Sequence, residues 1–160
     1  MKKVIALLLA MSMTVAAFTG CTAGQKASEE KKTETADKTS DKKDDGDKVY
    51  HIGIIQLVEH QALDAATEGF QKALKEKLGD KVEFDVQNAQ GEETNCATIA
   101  TKFVNSNVDL IMANATQAVI SSATATSDIP IVGTSVTDYV TTGTVKSNDA
   151  PGGNVTGTSD

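Results

Sequence analysis

The sequence predicts an α/β domain in which an open parallel sheet carries helices on both faces. From Val49 onward, apolar β-branched runs of strand length alternate with stretches whose apolar residues recur every three or four positions. The links between these runs are short, and the order is strand, helix, strand, helix, strand, helix, strand. Each such βαβ unit crosses over with a right hand, so its two strands lie parallel in one sheet.

The first strand is predicted at residues 49–58, VYHIGIIQLV, an apolar run typical of a strand buried on both faces. A helix follows from Ala62, because apolar residues recur with helical spacing from Leu63 to Leu78 until Gly79 and Asp80 end the pattern. Apolar and polar residues alternate in the second strand, which is therefore placed nearer an edge of the sheet. The later elements are predicted at 81–86 (strand), 92–105 (helix), 108–113 (strand), 116–127 (helix) and 129–134 (strand).

Regular patterning fades after the fourth strand. Residues 137–144 are rich in threonine and glycine, and residues 148–160, NDAPGGNVTGTSD, have the composition of a turn. The last four residues are interpreted as an element that has only begun.

The N-terminus has the anatomy of a secretory signal. Two lysines precede an apolar run, residues 4–18, which is shorter than the about 20 residues that a membrane-spanning helix needs. The sequence FTGC that ends the segment resembles a bacterial lipobox, although Phe18 and Thr19 replace the usual leucine and alanine or serine. Residues 1–20 are thus predicted to be a lipoprotein signal peptide and Cys21 to be acylated, the alternative being an ordinary signal peptide cut near Gly20.

Residues 21–48 are dominated by lysine, aspartate and glutamate and have almost no apolar side chains. Such a segment cannot bury a core, so we expect a lipid-anchored, disordered linker. Residues 49–160 remain, and 160 − 49 + 1 = 112 residues suffice for one small domain.

Charge and cysteine content exclude several classes of function. The chain contains no arginine and carries a formal net charge of −7, which argues against nucleic acid as a partner. A carboxylate ligand must then be held by backbone N–H groups, hydroxyls, amides or a lysine. Cys96 shares a helical face with apolar residues and is interpreted as a buried structural thiol. No metal-ligand spacing occurs, and no cofactor is expected.

Ligands of open parallel sheets bind beyond the carboxyl ends of the strands, near the point where strand order reverses. Four polar loops satisfy this rule, and three of them run into helix N-termini, which attract carboxylates. For single residues a local role competes: Thr116 could cap its helix, and Asn88 and Asp138 could complete turns. The loops are residues 56–61, 87–91, 114–116 and 135–139.

Several segments resemble one family in order along residues 49–160, notably EHQALD, QNAQG and NVTG. The resemblance is to the N-terminal half of ABC transporter substrate-binding lipoproteins of the tryptophan/tyrosine type. It implies a periplasmic-binding-protein type I-like N-terminal lobe, truncated before a second lobe. It also implies a lipid-anchored protein at the extracytoplasmic face of the cell membrane, with a ligand, often an aromatic amino acid, clamped between two lobes. The ligand would be delivered to a membrane permease with a cytoplasmic ATPase. Cys96 and the sequence TDYVTTG, in place of a proline-containing turn, depart from the family pattern.

The resemblance and the strand-end rule together select the candidate ligand-binding residues. Gln56 and Glu59 are assigned to the ligand ammonium, and Thr116 and Gln117 to its carboxylate. A single lobe offers half of the contacts, so the chain alone is expected to bind weakly or not at all. Two alternatives are a secreted enzyme using Glu59 and His60 for acid–base chemistry, and a regulatory sensor lobe. Further candidate contacts are Asn88, Gln90, Thr137 and Asp138.

Overall fold

The structure is a computed structural model that describes residues 48–160. The predicted signal peptide, Cys21 and all of the predicted linker except its last residue lie outside the described residues. Within residues 48–160, no helix is both long enough and apolar enough to cross a bilayer.

Five parallel strands form one sheet in the order β2-β1-β3-β4-β5. The chain moves from β1 outward to β2 and then crosses back to β3 on the other side of β1. The strand order therefore reverses between β1 and β3, and β2 is an edge strand as its alternation predicted. The strands are β1 Tyr50–Gln56, β2 Val82–Asn88, β3 Leu110–Asn114, β4 Ile131–Val136 and β5 Val155–Ser159.

Three helices connect the first four strands and cover both faces of the sheet. They are α1 Gln61–Leu78, α2 Glu93–Asn105 and α3 Thr116–Ala125, and a short 3₁₀ turn, Gly79–Lys81, follows α1. On one face, Phe70, Leu74 and Leu78 of α1 pack against Ile52, Ile54, Val82 and Met112. On the other face, α2 and α3 pack side by side over Ile55, Ile111 and Ile131. The predicted fold class is confirmed.

Glycines allow two close contacts on the face covered by α2 and α3. A Cβ at Gly53 would lie 2.5 Å from the ring of Phe103, which is fully buried. The second contact involves Tyr139 from the loop after β4, whose ring lies against Gly133 of β4 and Gly157 of β5. The Tyr139 hydroxyl donates to the carbonyl of Thr158 at 3.1 Å, which ties the loop to β5.

The NVTG motif has a structural role at the start of β5. The Asn154 side chain donates to the carbonyls of Thr126 and Ile129, at 3.0 and 2.8 Å, and so joins β5 to the link between α3 and β4. Val155 is buried in the core, and Gly157 leaves room for the Tyr139 ring. Asn154, Val155 and Gly157 thus stabilise the pairing of β5 with the rest of the sheet.

Candidate functional site

The carboxyl ends of β1 to β4 meet at one edge of the sheet, called the rim below. Asn88, Gln56, Asn114 and Thr134 stand in register on adjacent strands and form a polar row across this edge. The row spans the point between β1 and β3 where the strand order reverses. This is the place that the strand-end rule selects for a ligand.

Backbone hydrogen bonds tie neighbouring loops of the rim together. Ala89 N–H donates to the Gln56 carbonyl at 2.8 Å, and Gly91 N–H donates to Leu57 at 2.7 Å. On the other side of β1, Leu57 N–H donates to the Asn114 carbonyl at 3.2 Å. These bonds hold the loops after β1 and β2 side by side against the end of β3.

Backbone strain is concentrated at the rim. Four non-glycine residues among those described have positive φ, and three of them lie here: Gln90 at 56°, Ala115 at 93° and Ser135 at 56°. With ψ at 159°, Ala115 occupies a region used almost only by glycine. Such a conformation costs about 1–3 kcal/mol and tends to occur where function requires it.

The N-terminus of α3 is suited to an anion. Its N-cap residue, Ala115, offers no side-chain hydrogen bond, and the first turn contains no acidic residue. The first N–H groups of a helix lack partners within the helix and carry the positive end of its dipole. Thr116 and Gln117, both half-buried, lie in this turn and can contact a bound carboxylate.

The N-terminus of α1 has the opposite character. Glu59 is exposed, and the following residue, His60, caps the helix through Nδ1, which accepts the N–H of Ala62 at 3.3 Å. A shallow surface hollow here is lined by Glu59, His60, Asp64 and Glu68. Three carboxylates and no lysine line it, so this side of the rim favours a cation.

Gln56 lies deeper than its assigned role suggests. The residue is 6% exposed, and its Nε2 donates to Asp64 Oδ1 at 2.6 Å and to the Val58 carbonyl at 3.0 Å. Its Oε1 accepts the hydroxyl of Thr67 at 2.7 Å. The polar atoms of the Gln56 side chain are thus all bonded within the protein. The side chain points toward α1, beneath the rim.

Asn114 lies in a loop that the strand-end rule selected but was not assigned a ligand contact, and Thr67 was not selected by sequence reasoning. Asn114 Nδ2 donates to the Leu63 carbonyl at 2.8 Å and to Thr67 Oγ1 at 3.0 Å. Within residues 48–160, Asn114 Oδ1 is the one buried side-chain polar atom that lacks a hydrogen-bond partner. An unpaired buried acceptor costs about 1–3 kcal/mol. A signal for Thr67 exists: it takes an inward position in the apolar stripe between Leu63 and Phe70.

The remaining candidates lie in the loops after β2 and β4. Asn88 and Gln90 are exposed, and Asn88 Oδ1 accepts the Gln90 N–H at 2.7 Å in a local turn. Thr137 is exposed, whereas Asp138 Oδ1 accepts the N–H groups of Val140 and Thr141. All of these candidates lie at the rim, but the carboxylate of Asp138 also stabilises its own turn.

The titratable groups with altered pKa values lie away from the open surface of the rim. Burial raises the pKa of the Cys96 thiol, which keeps it protonated and unreactive, as expected for a structural cysteine. A hydrogen bond from Lys102 lowers the pKa of Asp85, and one from Lys48 lowers that of Asp109. Residues 48–160 contain no group of three His, Cys, Asp or Glu side chains that could hold a metal ion.

Within residues 48–160, the parallel sheet, the reversal of strand order and the polar rim define an open α/β domain whose rim is the place where such sheets bind small solutes. Comparison with known proteins gives the family. Residues 51–160 match the family described as ABC transporter substrate binding protein. The chain therefore belongs to this family.

Several relatives are similar over the whole described part of the chain. A tyrosine-binding protein of Clostridioides difficile (strain R20291) is 45% identical over 164 residues, which cover 99% of this chain and 45% of that protein. A substrate-binding protein with adhesive properties from Clostridium difficile, solved in a ligand-free, open form, is 47% identical, with a TM-score of 0.68 over 70% of this chain and 39% of its own. The chain thus spans less than half the length of these relatives.

A third relative was solved with a ligand. It is an ABC domain from Streptococcus pneumonia in complex with L-Trp, and it is 37% identical to this chain. The TM-score is 0.67 over 70% of this chain and 39% of that one. Proteins of this family are binding proteins rather than enzymes.

Proposed function

We propose that the chain is the N-terminal lobe, residues 49–160, of the extracytoplasmic binding component of an ABC importer. It would capture an amino acid, of the aromatic class, between this lobe and a second one and deliver it to a permease with its ATPase. Family membership supports the transport role. The support for an aromatic amino acid is the tyrosine-binding relative and the relative solved with L-Trp.

One observation carries the proposal at the level of the site: the two helix N-termini at the rim differ in charge. The uncapped first turn of α3, with Thr116 and Gln117, suits a carboxylate, while the acidic start of α1, with Glu59, suits an ammonium. A free α-amino acid carries both groups at neutral pH. Because the chain contains no arginine, backbone N–H groups take the place of a guanidinium clamp.

The other candidate residues take supporting roles. Gln56 holds the acidic side of the rim by hydrogen bonding to Asp64. Asn88, Gln90, Thr137 and Asp138 complete the rim on its two flanks, where a second lobe would close over the ligand. The ligand would then stabilise the closed arrangement because it contacts both lobes only in that state.

For the N-terminal segment we propose the roles that its sequence predicts. Residues 1–20 would direct export, Cys21 would carry the lipid, and residues 21–48 would tether the lobe to the outer face of the cell membrane. A lipid anchor needs a second membrane signal or a second acyl chain for stable attachment, and diacylation supplies it. Globomycin treatment or Cys21→Ser, followed by fractionation, tests this assignment.

Chemical-shift titration of the chain with L-tryptophan tests the binding function. We expect shifts at the backbone amides of Glu59, Thr116 and Gln117. Glu59→Gln should weaken binding about tenfold, because a neutral amide loses the charge-assisted bond to the ammonium. Glu76→Gln is the matched control, since Glu76 is exposed at the far end of α1.

Two further ligands make the titration specific. Tryptamine lacks the carboxylate and indole-3-propionate lacks the ammonium, so each should bind more weakly than L-tryptophan. Shifts confined to other parts of the chain, or equal affinity of Glu59→Gln and the unmodified chain, would contradict the proposal. Conversion of L-tryptophan to a product during the titration would favour the alternative of an enzyme using Glu59 and His60.

A further inference from the structure

The two halves of α1 are attached to the sheet by different interactions. The α1 residues that pack in the apolar cluster on this face, Phe70, Leu74 and Leu78, all belong to its second half. In the first half, Leu63, Asp64 and Thr67 meet the sheet through hydrogen bonds. The start of α1 carries the acidic side of the rim, so its position depends on polar contacts.

These contacts form a continuous series of hydrogen-bonded side chains, called the relay below. Its members are Asn114, Thr67, Gln56 and Asp64. Asn114 Nδ2 donates to Thr67 Oγ1 at 3.0 Å, and the Thr67 hydroxyl donates to Gln56 Oε1 at 2.7 Å. Gln56 Nε2 then donates to Asp64 Oδ1 at 2.6 Å. All three hydrogen bonds of the relay point the same way. The relay starts at the donor amide of Asn114 and ends at the acceptor carboxylate of Asp64.

The hydroxyl of Thr67 fixes the orientation of the Gln56 amide. Since Thr67 has one hydroxyl proton and accepts from Asn114, that proton is available to Gln56. Gln56 therefore turns Oε1 toward Thr67, and two acceptors, Asp64 Oδ1 and the Val58 carbonyl, bind Nε2 on the other side. An amide turned the other way would place Oε1 against the carboxylate of Asp64.

The relay also connects the two sides of the rim. Gln56 and Asn114 are paired at the ends of β1 and β3, one on each side of the strand-order reversal. Along the sequence, Gln56 is followed by the loop that carries Glu59, and Asn114 is followed by the start of α3. The distance between the proposed ammonium and carboxylate contacts therefore depends on how α1 is held against these two strands.

We propose that Thr67 is a positioning residue for ligand binding, which sets the first turn of α1, and Glu59 with it, relative to the N-terminus of α3. The ligand in this inference rests on the proposed function, whereas the geometry of the relay does not. Thr67 itself is buried, with 5% exposure. Its hydroxyl acts through Gln56 and Asp64.

Hydrogen exchange measured by NMR tests the geometry without any ligand. In the unmodified chain, the Gln56 side-chain amide should give two resolved, slowly exchanging protons. Thr67→Val keeps the shape of the side chain and removes the hydroxyl. These protons and the backbone amides of Ala62 and Asp64, which both donate to His60, should then exchange at least tenfold faster. Thr67→Ser restores the hydroxyl and should restore slow exchange.

The control is Ser122→Ala, because Ser122 is a fully buried residue whose hydroxyl donates within α3, to the Ala118 carbonyl at 2.7 Å. This variant should lose stability without faster exchange at Asp64. Fast exchange of the Gln56 side-chain amide in the unmodified chain would overturn the proposal even if Thr67→Val failed to fold. Equal exchange at Asp64 in Thr67→Val and Ser122→Ala would overturn it as well.

Titration with L-tryptophan then separates positioning from stability. Thr67→Val should weaken affinity about tenfold, Thr67→Ser should recover it, and Ser122→Ala should leave it unchanged at a similar loss of thermal stability. Equal affinity of Thr67→Val and the unmodified chain would overturn the positioning role. Absence of L-tryptophan binding both by the unmodified chain and by the chain joined to a second lobe would refute the proposed function alone, and the exchange data would still decide the relay.

Discussion

At Tyr139, a buried phenol links two strands of the sheet to the loop that carries Thr137 and Asp138. The Tyr139 ring fits against the sheet because Gly133 and Gly157, which are paired on β4 and β5, have no side chains. Burial raises the pKa of its hydroxyl, which remains a donor to the Thr158 carbonyl at neutral pH. The aromatic residue thus holds this loop against β5.

Gly133→Ala should therefore destabilise the chain by about 3 kcal/mol, as overpacking of a core does. The new Cβ would lie 2.5 Å from the Tyr139 hydroxyl oxygen and 2.9 Å from Val119 Cγ2. Chemical denaturation gives the change in the free energy of unfolding. Gly153→Ala is the control, because a Cβ there meets nothing within 4 Å. A loss equal to that of the control would contradict the proposed fit of Tyr139.

Single residues also mark the limit of what the sequence could predict. Burial of Cys96 was predictable, because its helical spacing from Ile99, Ala100 and Phe103 defines an apolar face. Neither the depth of Gln56 nor the role of Asn114 was predictable. Polar residues at the end of a strand have the composition of a loop, and only the packing of α1 decides that their side chains turn inward.

Among the elements, α1 and α3 show how two helix N-termini at one rim acquire different roles. α1 begins with a side-chain cap from His60 and carries Asp64 in its first turn. α3 has neither feature, and a strained residue, Ala115, precedes it. The difference leaves the dipole of α3 available to a ligand, while that of α1 is already compensated.

Gln117→Glu should separate stability from binding. A carboxylate in the first turn of α3 interacts favourably with the helix dipole, so the free energy of unfolding should rise by about 0.5 kcal/mol. The same charge repels the ligand carboxylate, and L-tryptophan affinity should fall about tenfold or more. Denaturation and NMR titration of the same sample measure both effects.

The control for this substitution is Gln71→Glu, which changes the same residue type in the middle of α1, away from any helix N-terminus. It should alter neither quantity in this way. If Gln117→Glu bound L-tryptophan as tightly as the unmodified chain, the carboxylate contact would not be at α3.

Element order was predictable, whereas element ends were less so. Hydrophobic periodicity gave the order of strands and helices, because apolar residues recur every second position in a half-buried strand and every three or four positions in a helix. The third strand was expected to stop at Ala113 but continues to Asn114, and the fourth was expected at 129–134 but runs from Ile131 to Val136. The final element, expected as a beginning only, is the strand Val155–Ser159, which pairing with β4 stabilises.

For the whole molecule, the proposed function makes residues 49–160 one side of a crevice. Its rim is open, and the chain covers 45% of the tyrosine-binding relative. Ligand contacts from a second lobe would add to those of the rim, and the closed state would exclude water from both sets.

The chain alone should therefore bind L-tyrosine at least about a hundredfold more weakly than the full-length relative, a difference of about 2.8 kcal/mol. Titration of both proteins under one set of conditions measures this difference. Equal dissociation constants would mean that the rim alone forms the complete site, and lobe closure would then contribute nothing to affinity.

The position of β5 has a consequence for handling the isolated lobe. β5 ends the sheet, and its sequence, VTGTS, contains neither proline nor lysine, the residues that commonly protect such an edge. Its outward backbone groups are a template for strand addition by another copy. The formal net charge of −7 on the full 160-residue chain opposes that self-association at neutral pH, but this repulsion vanishes near the chain's isoelectric point of about 4.8. Colloidal stability of the lobe therefore depends on electrostatic repulsion between copies.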